Sequence, residues 1–380
     1  MRWISVNRLG VAFVLVVTAV GCSPDAPASR DESGERSGSS LTWQPLPTGE
    51  ITRIAFGSCA FQWEEQPIWD AVIAAEPDLF LYLGDAIYGD FDGENTYDVS
   101  AETLEREWGV LAARPEFRRL VKSVPVMATW DNHDYGRHDG GAEFGLKDVS
   151  KKAFLDFFGE PAESPRRLRG GVYDARVFGP EGRRVQVILL DTRYFKGPYV
   201  LADRSAGAGG SLGKYAPNPD STVTLLGEEQ WRWLEEQLRV PAEVRLIASS
   251  TQIVADQKGM DEWGNYPHER QRLFDLIEST GAERVLLLSG NVHFSEVSRA
   301  DQGQSPLYEF TASGLTHTNA DYAAALNPYR VAGPVTDVNF GLVTIDWEAE
   351  PGPELRLQAV GVDGSRLVQT RVVLDEPEAG

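Results

Sequence analysis

Short apolar runs recur along this chain, and each stops at a polar cluster. Ile51 to Phe56 leads into Gly57-Ser58-Cys59, and Leu79 to Leu83 into Gly84-Asp85-Ala86-Ile87-Tyr88. Val124 to Thr129 leads into Trp130-Asp131-Asn132-His133-Asp134, Val185 to Leu190 into Asp191-Thr192-Arg193, and Val285 to Leu288 into Ser289-Gly290-Asn291-Val292-His293. Runs of this length, rich in Val, Ile, Leu and Phe, predict buried strands. Polar side chains placed directly after such strands mark the edge of an open α/β sheet where ligands bind.

Between the strands the period changes. Gln66 to Ala75 carries Ile68, Trp69, Val72 and Ile73 at helical spacing, and Pro77 closes the helix. Strand, helix and strand make a βαβ unit, whose right-handed crossover puts Cys59 and Asp85 at one sheet edge. Further helices are expected over Ala101 to Ala113, from Pro115 to Lys122, and over Lys151 to Phe158, Glu228 to Leu238 and Glu269 to Gly281. Lys196 to Thr222 has no period and many Gly, Pro, Asp and Asn residues, which predicts a rim or lid over the site. From Glu296 onward strands follow one another without helices, interrupted by a long loop from Gly314 to Asn339. The pattern, α/β first and largely antiparallel β afterwards, predicts one two-sheet domain over residues 50–376.

Composition changes this picture in two ways. A hydrophobic content of 42% supports a sizeable core, and 57 acidic against 36 basic residues give a net charge of -21. That charge argues against nucleic acid or an anionic membrane surface as an electrostatic partner, so a small anionic substrate needs local positive charge from metal or arginine. At the start, Arg2, Arg8 and the apolar run from Leu9 to Gly21 predict an export signal over residues 1–21. Cys22 after a small residue resembles a bacterial lipobox, although Ala19 stands where leucine is usual. The expectation is an exported bacterial protein, lipid-anchored to a membrane and facing periplasm or cell exterior, with residues 22–49 as a flexible linker. With Cys22 lipidated, Cys59 is left single, either inert in the core or held by a metal.

The strand-end clusters supply a mixed donor set. Cys59, Tyr88 and His293, sharing Asp85, offer three anionic ligands and a nitrogen, which suits a trivalent metal such as Fe(III). Asp85 with Asn132 and Asn291 is oxygen-rich and weakly charged, which suits a hard ion such as Ca(II), with Zn or Mn as alternatives. One carboxylate shared by two metals is the core of a two-metal site.

These residues also carry a resemblance. Gly57-Ser58-Cys59, Gly84-Asp85-Ala86-Ile87-Tyr88, Trp130 to Gly136, Asp191-Thr192-Arg193, Trp263 to Pro267, Ser289 to Ser295 and Asn339-Phe340-Gly341 resemble the alkaline phosphatase D family of metallophosphatases. The Gly-Asp-x-x-Tyr element is similar to purple acid phosphatases, in which the tyrosine binds Fe(III). The resemblance implies a four-layer αββα sandwich with mixed sheets, metals at the strand C-terminal ends, and release of phosphate from mono- or diesters at alkaline pH. The family usually has Asp where Asn132 and Asn291 stand, and tends to have Asn at His138. The superfamily's histidine ligand near Ser249 to Gln252 is missing.

The expected mechanism is in-line attack by a metal-bound hydroxide, with His133 protonating the leaving oxygen. Asp134 is expected to orient that imidazole and raise its pKa, and Arg137 and Arg193 to clamp phosphate or form structural ion pairs. Two alternatives stand beside this reading. A phospholipase D-like phosphodiesterase is favoured by an apolar rim in the Lys196 to Thr222 loop. A non-catalytic metal- or ligand-binding lipoprotein of the same fold is suggested by the two asparagines. The oligomeric state is not set by the sequence.

Overall fold

Every residue of the strand Leu79–Leu83 is buried, because the strand has no solvent face. Leu79, Leu81 and Leu83 point into a core between two sheets, while Phe80 and Tyr82 point into a core of helices behind the first sheet. The strand's period of two thus divides one unbroken apolar run between two cores. This computed structural model describes residues 41–97, 99–203, 212–301 and 305–374. The expected export signal over residues 1–21 and the anchor at Cys22 lie outside the described residues. Among the described residues no helix is long and apolar enough to cross a membrane.

In chain order, β1 (Arg53–Gly57), α1 (Ile68–Ala74), β2 (Leu79–Leu83), α2 (Ala101–Ala113), α3 (Pro115–Ser123) and β3 (Val126–Thr129) come first. A one-turn α4 (Asn132–Tyr135), α5 (Lys147–Phe157), α6 (Pro165–Leu168), β4 (Asp174–Phe178) and β5 (Val185–Leu189) follow. Next are β6 (Val200–Leu201), β7 (Tyr215–Ala216), α7 (Gly227–Leu238), β8 (Val244–Ala248), α8 (Pro267–Ser279) and β9 (Val285–Ser289). The chain closes with β10 (Ser295–Ala300), β11 (Leu307–Ala312), α9 (Ala320–Ala323), β12 (Arg330–Val335), β13 (Asn339–Asp346), β14 (Glu354–Gly361) and β15 (Arg366–Val373).

One sheet runs β15-β14-β13-β1-β2-β3 and the other β12-β10-β11-β9-β8-β5-β4. Each is mixed: β1, β2 and β3 are parallel, as are β5, β8, β9 and β11, and antiparallel strands extend each sheet. Between the sheets lie Phe56, Leu81, Val187, Leu246, Leu288 and Val343 with their neighbours. Helices α1, α2, α3 and α5 cover the first sheet with Trp69, Trp108, Phe117 and Phe154. Helices α7 and α8 cover the second with Trp231, Leu234, Leu273 and Phe274. The layers are therefore helix, sheet, sheet and helix.

Three local expectations change. The linker does not extend to Gly49: Trp43 packs against Phe117, Phe157 and Phe158 at 6.1, 6.0 and 5.4 Å, and the Gln44 amide donates to Val121 O at 2.8 Å. The three apolar residues Leu41, Trp43 and Leu46 give this segment a reason to dock that its neighbours lack. The expected loop from Gly314 to Asn339 contains α9 and β12. β12 carries Gly333-Pro334, which reads as a breaker, but as the last strand of its sheet it leaves one backbone edge unpaired, where proline is tolerated. Finally, β11 lies antiparallel to β10 yet parallel to β9, so the second half of the chain is less purely antiparallel than its pattern suggests.

Candidate metal centre

The parallel strands end in register, with Gly57 beside Tyr82 and Leu83 beside Thr129, so the residues after β1, β2 and β3 share one rim. The chain turns sharply there. Cys59, Asp85, Asn291 and His293 all have left-handed backbones, with φ of 65, 53, 69 and 58°. Side chains other than glycine seldom adopt this conformation, and its cost is typical of residues held for function. Gly84 precedes Asp85 at φ 99°, and a Cβ there would collide with the Asp131 side chain. The Gly-Asp pair is thus needed both for the turn and for the close approach of β3's end.

These turns bring the Cys59 thiol, the Asp85 carboxylate and a His293 ring nitrogen within 4.8 Å of one another. Cys59 Sγ lies 3.4 Å from Asp85 Oδ2 and accepts a hydrogen bond from Ser313 Oγ at 3.1 Å. Burial, reinforced by the Asp85 charge, pushes the thiol well up. Burial also raises the Asp85 carboxyl and the Tyr88 phenol, the latter helped by Cys59 and Asp85. His293 is pushed well down by burial and by the facing histidines, so its ring is neutral with a free lone pair. A cluster of acids held toward their protonated forms beside a neutral imidazole is the donor chemistry that a multivalent cation satisfies. Tyr88 belongs to the same cluster: its ring lies 4.2 Å from that of His133 and its hydroxyl 3.2 Å from His317 Nε2.

Asn132 and Asn291 stand beside this cluster, lining a cleft of about 310 Å³ together with His133 and His293. Asn132 Oδ1 is buried without a hydrogen-bond partner, as is one oxygen of Asp131. Buried oxygens rarely go unpaired, so Asn132 Oδ1, on the cleft wall, is available to a cation. Asn291 donates its amide to Asp261 O at 3.3 Å.

The partner of His133 is Asp90, not the expected Asp134. His133 Nδ1 lies 2.5 Å from Asp90 Oδ1. Burial pushes the imidazole down, but Asp85 and Asp90 outweigh it and raise its pKa to about 9. Asp134 instead accepts the backbone N–H groups of Asp85, Ala86, Ile87 and Asp131 at 2.5, 2.8, 3.0 and 2.9 Å. Its position at the third residue of α4 turns it toward the β2 turn, where it cradles the backbone. The signal for Asp90 was present as a second Gly-Asp pair, Gly89-Asp90, directly after Tyr88.

Neither Arg137 nor Arg193 lines the cleft, and of the two alternatives read from the sequence Arg193 takes the structural ion pair. Arg193 is fully buried and donates from Nε and Nη2 to Asp131 Oδ1 at 2.7 and 2.5 Å, and from Nη2 to Asp261 as well. Among the described lining residues Lys214 is the lysine or arginine present, 3.1 Å from Asp139 Oδ2. His138 lines the same cleft, 3.4 Å from that carboxylate. Lys214 comes from the expected rim, whose Leu212, Gly213 and Tyr215 also face the cleft.

The rim is docked by its backbone: the Gly213 amide donates to Lys258 O at 2.8 Å and the Tyr215 amide to Gly259 O at 2.9 Å. A Cβ at Gly213 would collide with the Gly259 carbonyl. Gly213→Val is therefore expected to displace Lys214 and Tyr215 and lower kcat/KM by about tenfold or more. Steady-state kinetics beside a thermal melt check this; wild-type kinetics would mean that the rim does not shape the site.

A family model for PhoD-like phosphatases matches residues 54–339. Alkaline phosphatase D of Bacillus subtilis (strain 168) is 23% identical over 292 residues, covering 67% of this chain and 48% of that protein. The chain thus spans about half the length of this curated relative. The solved structure of PhoD superposes with a TM-score of 0.61 at 18% identity, covering 89% of this chain and 74% of that one, a likeness of fold.

Proposed function

The chain belongs to the PhoD-like phosphatase family, and from that premise we propose that it is a metal-dependent phosphoesterase acting on phosphate mono- or diesters. The observation that carries this reading is the convergence of Cys59, Asp85 and His293 beside a cleft bordered by His133. In this reading Cys59, Asp85, Tyr88 and His293 hold Fe(III), and Asp85, Asn132 and Asn291 hold Ca(II), Zn or Mn. When bound, such ions supply Lewis acidity that neutralises charge building on the phosphoryl oxygens.

The chain's own residues supply the rest. His133, held through Nδ1 by Asp90, presents Nε2 to the leaving oxygen and donates the proton there. The Asp90 carboxylate at Nδ1 favours the protonated ring. Lys214 draws the anionic ester toward a protein whose net charge of -21 otherwise repels it. Arg193 fixes the site's frame. Asp134 holds the turn that carries Asp85. Export through residues 1–21 and an anchor on Cys22 complete the proposal.

A second reading has its own support. Leu212 lines the cleft with 43% of its surface exposed, and Leu201 of the same segment is 71% exposed. An apolar rim of this kind favours a phospholipase D-like diesterase. Elemental analysis of the purified domain, with an absorption spectrum and hydrolysis of p-nitrophenyl phosphate and its bis-ester, tests both readings. The expected result is bound iron with a tyrosinate charge-transfer band and turnover that a chelator abolishes. The ratio of the two ester rates assigns the class. No metal and no turnover after adding Fe, Ca, Zn or Mn would overturn the enzyme reading in favour of a binding protein.

A further inference from the structure

Proton delivery by His133 decides where a leaving alcohol must lie, and the side chains beside His133 are mostly rings. Tyr88 is 4.2 Å from its imidazole and Phe91 6.3 Å. Phe61 lies 4.5 Å from Tyr88 and organises a stack. Trp63 lies 4.9 Å from it at 18°, Phe91 6.2 Å at 20°, and His317 3.9 Å at 10°. Three rings are therefore nearly parallel to Phe61. The inner end of this stack touches the metal cluster, since His317 is 3.2 Å from the Tyr88 hydroxyl and its ring is 4.4 Å from that of His293. Its outer end is open.

Trp63 is 37% exposed, whereas Trp69, Trp130, Trp231 and Trp263 are fully buried in the cores. Packing accounts for those four but not for Trp63. Nearby, Glu64, Glu65, Asp92 and Glu94 are exposed. An apolar ring stack with exposed carboxylates next to it in sequence suits an uncharged planar group. The cleft that His133 also lines carries charged and titratable groups, His138, Asp139 and Lys214.

We propose that Trp63 and Phe91, backed by Phe61, form a platform on which the leaving group stacks, so that the preferred ester carries a planar, uncharged ring on its alcohol, a nucleobase or an aryl group. This rests on the phosphoesterase reading, with His133 as proton donor. Stacking on an exposed ring tolerates any planar partner, because every such ring has a π-face.

Adenosine 5'-monophosphate and ribose 5-phosphate both release a primary alcohol on a ribose, so the ratio of their kcat/KM isolates recognition of the base. In the holoenzyme the ratio is expected to be about tenfold in favour of the nucleotide, and to fall toward one in Trp63→Ala and in Phe91→Ala. Because the ratio is read within each variant, a general loss of activity cancels. A ratio near one in the wild type, or one that neither substitution moves, would overturn the platform. Phenyl phosphate separates the two sources: a matching loss in Trp63→Ala assigns any planar ring, and no loss assigns the nucleobase. Should neither ester turn over, the phosphoesterase reading fails instead. Calorimetric binding of adenosine to the wild type and Trp63→Ala then decides the platform alone, with equal affinity or no binding sinking it.

Discussion

His133→Ala is expected to lower turnover by about 10²–10⁴-fold while the metal content of the protein stays the same. The imidazole is not among the donors that converge with Cys59; the hydrogen bond to Asp85 comes from the His133 backbone amide, which donates to Oδ1 at 3.3 Å. Its removal therefore takes away a proton at the leaving oxygen and no ligand. Esters with good leaving groups need that proton less, so p-nitrophenyl phosphate should suffer less than glycerol 1-phosphate. Asp90→Asn is the companion test: it keeps the shape of the partner of Nδ1 but removes the charge that helps hold the imidazole protonated. Its activity should fall off at a lower pH than that of the wild type. Unchanged turnover in His133→Ala would end its role as proton donor, and loss of metal would make it a structural support of the centre.

Arg193→Met should lower unfolding free energy by about 3–5 kcal/mol, the range for removing one partner of a buried ion pair. The guanidinium and Asp131 are fully buried and Asp261 nearly so. Without Arg193 both buried carboxylates would keep few hydrogen-bond partners, chiefly the Ser250 hydroxyl at 2.6 Å on Asp131 and Tyr199 on Asp261. The damage should extend to the metal centre. Asp131 immediately precedes Asn132, and the Asp261 carbonyl accepts the Asn291 amide, so both proposed oxygen donors lean on residues that Arg193 holds. Urea denaturation read by tryptophan fluorescence measures the loss, and elemental analysis reads retention of the second metal. A wild-type midpoint would show that the guanidinium serves the substrate and not the frame.

Much of this architecture is local. Each parallel strand is a short, unbroken apolar run because both its faces are buried, and the period of two assigns its residues to two cores without knowledge of the partner. The donor types at the strand ends, and the glycine that lets Asp85 turn back, are likewise written in adjacent residues. Exceptions arise where a local rule was satisfied in an unusual place. Gly333-Pro334 disguised an edge strand, and Trp43 docked a segment whose neighbours are polar.

Pairing between distant elements was not legible. Asp134 is the residue next to His133 in sequence, yet the imidazole reaches Asp90, 43 residues away, because α4 turns the two side chains in different directions. Arg193 finds Asp131 across 62 residues and Asp261 across 68. The strand-end motifs leave Arg193 as either a phosphate clamp or a structural ion pair, and only the packing of one sheet against the other places it beneath the site. Period, turn chemistry and donor type depend on a few neighbouring residues and can be read along the chain. Which charge neutralises which depends on the crossing of two sheets, and that is settled by burial of the core between them.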